Sequence, residues 1–242
     1  MSTTTFLTAQ WHKLIMAQYA VDPAILAPYL PPGTQLDLFQ GTCFVSLVGF
    51  LFDRVRIKGI PIPFHTRFEE VNLRFYVRRI DPDGTIRRGV TFISEFVPRA
   101  AITVIANTLY EEPYSTVPMR HQNFTNRDRH HAEYNWKHSR SWHSMEVEAE
   151  PWKQPIVADS IEEFITEHYW GFTKRTGGFT SQYEVIHPSW QVYPILSHSI
   201  DADFGTLYGP QFANLRRRQP DNILLAEGSE VSVLSGTRLP QG

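Results

Sequence analysis

A single cysteine, Cys43, is all the thiol in this 242-residue chain, so no internal disulfide is available. It sits in the apolar run from Thr42 to Phe52, where it reads as a small buried hydrophobe rather than a nucleophile. An excess of one charge sign is also lacking. The 23 Lys+Arg stand against 25 Asp+Glu, a net of −2, which gives no general attraction to nucleic acid or to an anionic membrane. The Arg216-Arg217-Arg218 run is too short to change this and reads as a solvated helix end. No window approaches the roughly 20 apolar residues that span a bilayer. The N-terminal MSTTTFLTAQWHK has no basic region followed by an apolar stretch. The expectation is a cytoplasmic protein with neither nucleic acid nor membrane as partner. Common catalytic signatures are missing as well: there is no GxSxG elbow, no phosphate loop and no GxGxxG.

What is present is an ordinary globular balance with enough chain for a sizeable core. Turn signals recur at Pro31-Pro32-Gly33, Asp81-Pro82-Asp83-Gly84, Thr176-Gly177-Gly178 and Glu227-Gly228. The segments between them are rich in aromatic and β-branched residues, which predicts an antiparallel sheet or barrel over parallel βαβ units. Strands are expected at 42–52, 68–79, 88–97, 142–149, 168–175, 179–187 and 223–234, with 168–187 a hairpin turning at Gly177-Gly178. Segment 55–66, with two prolines, must be a loop or an edge. Asp22-Pro23 predicts a helix start before Ala24–Leu30, and Pro98 predicts a second helix to about Leu109. Ser160 with Glu163 forms a capping box for a third, ending near His168, and residues 209–218 suggest a fourth.

Strand 68–79 carries the most chemistry. Glu70, Asn72, Arg74 and Tyr76 alternate with Val71, Leu73, Phe75 and Val77. The polar row is either a solvated face over an apolar core or a stripe lining a closed cavity, where carboxylate, amide and guanidinium would converge on a ligand. The histidine-rich stretch (His121, His130, His131, His138, His143) has irregular spacing and interleaved arginines, so it reads as a solvated surface without a metal.

The order of the pieces is similar to the acetoacetate-decarboxylase-like superfamily. A first strand ends at Tyr19, and a short helix follows from Asp22 to Leu30. The turn Pro31–Asp37, an apolar strand, Phe68-Glu69-Glu70, Ala100–Val104 and Glu112-Pro113-Tyr114 come after it. FEEVNLRFYV, Pro113-Tyr114 and His187-Pro188-x-Trp190 resemble a bacterial family of unknown function within it, the YqjF-like proteins. The resemblance covers most of the chain. It implies one α+β, mainly β domain over residues 1–242, a closed antiparallel β-barrel or cone with a central cavity and a few flanking helices. It also implies that Glu70 matches the superfamily's catalytic glutamate and that His12 lies near its N-terminal arginine.

The departure from the superfamily is at Pro113-Tyr114-Ser115, where decarboxylases carry Pro-Lys-Lys. Their chemistry needs an amine to form an imine, and neither tyrosine nor serine can supply one. Acetoacetate decarboxylation is therefore disfavoured. The expected protein binds a small, partly apolar organic molecule and needs no cofactor. If it is an enzyme, Glu70, Tyr114 and His12 would act in lyase, hydratase-like or enol chemistry, with Asn72, Arg74 and Ser115 holding the ligand. The alternatives are a filled barrel serving as a scaffold or homo-oligomer module, and a decarboxylase with a relocated lysine.

Overall fold

A computed structural model of the chain describes residues 4–100 and 113–239. The architecture is mainly β, around a closed ring of seven strands. In ring order these are Thr5–Ala20, Glu230–Leu234, Thr180–Ile186, Trp170–Lys174, Ile86–Val97, Phe68–Ile80 and Phe44–Ile57, which returns to the first. All neighbouring pairs are antiparallel except Trp170–Lys174 beside Ile86–Val97. The second sheet is Met119–Thr125, His130–His138, Ser141–Ala149 and Ile195–Asp201.

Strand alternation sorts the apolar side chains into two cores. Val71, Leu73, Phe75 and Val77 join Tyr134, Trp136, Met145 and Val147, gluing the second sheet to the outside of the barrel wall. Phe50, Phe52, Phe68 and Tyr76 face the barrel interior with Leu14, Val90 and Trp190. The Phe68–Ile80 strand is thus buried on both faces. The layers touch so closely at Gly49 that a Cβ there would lie 2.6 Å from Met145 Sδ.

Local signals are read well where a turn or cap decides the backbone. The 168–187 hairpin pairs Trp170 with Glu184 and Lys174 with Thr180, with Gly177 and Gly178 both at positive φ. Asp22 caps a 3-10 turn over Pro23–Tyr29, accepting from Ala24 N at 2.9 Å. Ser160 caps Ile161–Thr166, while Glu163 reaches back to Asp159 N at 2.8 Å. Segment 209–218 is a 3-10 helix, Pro210–Arg217, preceded by Phe204–Tyr208. Within 55–66, residues 55–57 continue the Phe44–Ile57 strand, and Ile60–Pro61 folds back on them as a short strand at the sheet edge. The expected 223–234 strand is two strands, Asn222–Ala226 and Glu230–Leu234, divided by the turn at Gly228. The helix expected from Pro98 to about Leu109 lies, beyond Ala100, outside the described residues.

The histidine-rich stretch requires a correction. His130, His131 and His143 are buried at 2%, 6% and 4% exposure, because His130–His138 and Ser141–Ala149 are the central strands of the second sheet. Burial against aromatics, such as His130 stacked on Tyr193 at 4.7 Å, outweighs the polarity that suggested a surface.

Candidate functional site

The barrel interior holds a partly open, aromatic-walled cavity of about 140 Å³. Its apolar walls include Trp11, Phe50, Phe52, Phe68, Phe92 and Trp190, and its polar wall is Glu70, Asn72, Arg74, Glu95 and Tyr114. Glu70 is 3% exposed and accepts from Asn72 Nδ2 at 2.9 Å and from Tyr114 Oη at 3.0 Å. Glu95 and Arg74 share this wall with it, and Arg74 adds an opposite charge. Burial nevertheless dominates and pushes the Glu70 pKa up to about 7.

Two strands beside Glu70 set this wall. Tyr114–Thr116 runs parallel to Ile86–Val97, pairing Tyr114 with Glu95 and Ser115 with Phe96. Tyr114 therefore faces inward with Glu95, and Ser115, one residue on, is exposed and does not line the cavity. His12 does not join Glu70 either. Trp11 takes the inward position on that strand, and His12 Nε2 lies 3.9 Å from Asp53 Oδ2 outside the cavity. Desolvation lowers the His12 pKa.

Several lining residues were not singled out from sequence. Glu95 is hidden by a bulge. Leu73 pairs with Ser94 but Arg74 with Phe92, so Ile93 is the extra residue. Simple alternation from Val90 and Phe92 would aim Ser94 inward; the bulge aims Glu95 there instead. His187 stacks on Trp190 at 4.4 Å, and desolvation lowers its pKa, leaving it a neutral ring beside the cavity. His168, nearly fully buried, meets Asp37 Oδ2 at 3.1 Å, as Arg88 does at 2.7 Å. The His187-Pro188-x-Trp190 motif was the available signal for part of this wall; the others had none.

None of the five lysines, all among the described residues, lines the cavity. Lys13 is held by Glu227 at 2.7 Å and Tyr193 at 2.6 Å, and Lys174 donates to Pro28 O at 3.0 Å. Elsewhere, alternation on the second sheet brings ligand atoms of His131, Glu146 and Glu148 within 4.8 Å of one another, a set able to hold a metal ion. The Arg129 guanidinium, 2.7 Å from Glu148, competes for that position.

Solved structures define the class of this fold. An acetoacetate decarboxylase-like enzyme from Sphingomonas wittichii RW1 superposes with a TM-score of 0.66 at 13% identity, covering 99% of this chain and 95% of that one. The enduracididine biosynthesis enzyme MppR, complexed with pyruvate, gives 0.63 at 12% identity, covering 99% and 92%. The fold is the acetoacetate-decarboxylase-like barrel. Within it the chain belongs to the DUF2071 family of uncharacterized conserved proteins, whose family model matches residues 8–230. It is similar to the uncharacterized protein YqjF of Bacillus subtilis (strain 168), 25% identical over 180 residues, 73% of this chain and 70% of YqjF. Among the described residues no helix is long and apolar enough to cross a membrane.

Proposed function

We propose that this chain binds a small, partly apolar organic molecule in the barrel and acts on it by acid–base chemistry centred on Glu70, without an imine. The observation that carries this reading is a buried carboxyl, hydrogen-bonded to Tyr114 and Asn72, on the wall of an aromatic cavity to which no lysine contributes. A carboxyl with its pKa near neutrality can both give and take a proton. Tyr114 holds the acceptor side of Glu70, and Arg74 balances charge. Structural neighbours include proteins that bind small molecules, MppR with pyruvate among them.

The test is native mass spectrometry of protein purified without added ligand, compared with Glu70→Gln. A co-purifying small molecule lost in the variant supports the reading. Retention of that molecule by a folded variant would refute the role of Glu70.

A self-association module is the second reading. Ile60, 68% exposed, sits on the short strand at the sheet edge, and Phe64, 88% exposed, in the turn that follows it. Analytical ultracentrifugation of wild type and Phe64→Ser decides it: an oligomer that the variant dissociates supports it, and a monomeric wild type removes it.

A further inference from the structure

Four features of the cavity wall concern charge and hydrogen bonding. Glu70 and Glu95, 3% and 1% exposed, put two carboxyls on one wall of the cavity, and Tyr114, which donates to Glu70 at 3.0 Å, pairs with Glu95 on the neighbouring strand. Two buried carboxylates beside one guanidinium repel each other, so the wall is most stable with a proton on one of the two. Arg74, 9% exposed, supplies the cation, and its buried Nε has no hydrogen-bond partner among the described residues. Asn72, 1% exposed, has its amide nitrogen committed to Glu70, which leaves a buried Oδ1 without a partner.

Resting on the acid–base reading above, we propose that Glu70 and Glu95 hold one proton between them, and that this pair, with Arg74 and Asn72, selects an uncharged ligand bearing both a hydrogen-bond donor and an acceptor. The single negative charge of the pair is matched by the single positive charge of Arg74. An anionic ligand would therefore enter a buried site with no spare cation among the described residues, which is costly. The unpartnered Arg74 N–H calls for a carbonyl or hydroxyl oxygen, and the Asn72 oxygen calls for an N–H or O–H. Unmet, each carries a desolvation cost. The volume, near that of the engineered cavity of about 150 Å³ that takes benzene, limits the ligand to a small body. The other ionisable side chains on this cavity, Tyr114, Tyr183, His168 and His187, do not alter the balance. Burial keeps both imidazoles neutral, and a phenol is uncharged near neutrality.

Two measurements separate the pair from the ligand. Infrared titration reads the protonated carboxyl directly. Like-charge repulsion opposes loss of the last shared proton, so wild type should keep one buried carboxylic-acid band at about pH 6, above the ordinary glutamate range. Glu95→Gln and Glu70→Gln should each remove it. A wild type without the band, or a band that survives Glu95→Gln, overturns the pair. Ligand selection is read with isobutyramide and isobutyrate, matched in size and differing in charge, by NMR titration of the Trp11 and Trp190 indoles. Wild type should bind the amide at least about tenfold more tightly, and the double variant Glu70→Gln/Glu95→Gln, with Arg74 left unmatched, should reverse the order. Equal or tighter binding of isobutyrate by wild type overturns the selection. If neither probe binds, the selection falls together with the cavity reading, while the infrared result still decides the pair.

Discussion

Glu70 and His130 tie the fold to pH with opposite signs. Burial raises Glu70 to about 7, so the folded chain keeps a proton that the unfolded chain releases near the ordinary glutamate value. That contribution is full below the ordinary value and is lost as pH rises through about 7. Glu70→Gln keeps the shape and removes the titration. The stability of wild type relative to this variant should fall between about pH 5 and pH 8, by about 1.4 kcal/mol per unit of displacement. Parallel melting curves across that range would show that the carboxyl is not displaced. His130 is the reverse case. Burial depresses its imidazole to about 4 from the usual 6.5, so its contribution is present above 6.5 and is lost as pH falls toward 4. His130→Gln should flatten the acid side of the urea-midpoint profile in that window, and an unchanged profile would exclude His130 as a source of acid lability.

At the level of elements, two irregularities shape the cavity. The bulge at Ile93 turns Glu95 inward, and Gly171 lets the ring of Tyr183 lie against its backbone. A Cβ at 171 would lie 2.2 Å from Tyr183 Cζ, so the ring must move. Gly171→Ala should destabilise by about 1–3 kcal/mol, the range for overpacking, read as a lower denaturant midpoint at unchanged slope. A midpoint equal to wild type would mean that the ring moves freely. The polar row Glu70-Asn72-Arg74 was legible in the sequence because it obeys strict alternation. Glu95 was not, because one extra residue inverts parity and no residue type announces it. Ser115 stands where the resemblance puts the second lysine, but neighbours in a strand face opposite sides, and Ser115 is turned away from the cavity.

For the whole molecule, the placement of the lysines bears on chemistry. Lys13 is neutralised by Glu227 and Lys174 is exposed at a hairpin, and none of the five reaches the cavity wall. Borohydride treatment with pyruvate or acetoacetate should therefore leave the mass of the intact chain unchanged. A single trapped adduct would restore imine chemistry and require a lysine to enter the barrel. The second sheet makes a separate prediction. With Arg129 on Glu148, protein purified without an affinity tag should contain no stoichiometric zinc by elemental analysis, and one zinc per chain would mean that His131, Glu146 and Glu148 take the ion in its place.

By itself the sequence determined the β-rich class, the hairpin at Gly177-Gly178, the caps at Asp22 and Ser160, and the polar row on the Glu70 strand. Each of these depends on forces acting within a few residues: positive φ, an N-cap hydrogen bond, the pleat. Only the tertiary structure decided that both faces of that strand are buried, that the histidine-rich strands are interior, that Trp11 rather than His12 faces Glu70, and that Glu95 completes the wall. Those outcomes depend on barrel closure, on a bulge, and on a second sheet covering the wall. They are set by contacts between residues far apart in the chain, to which local pattern carries no signal.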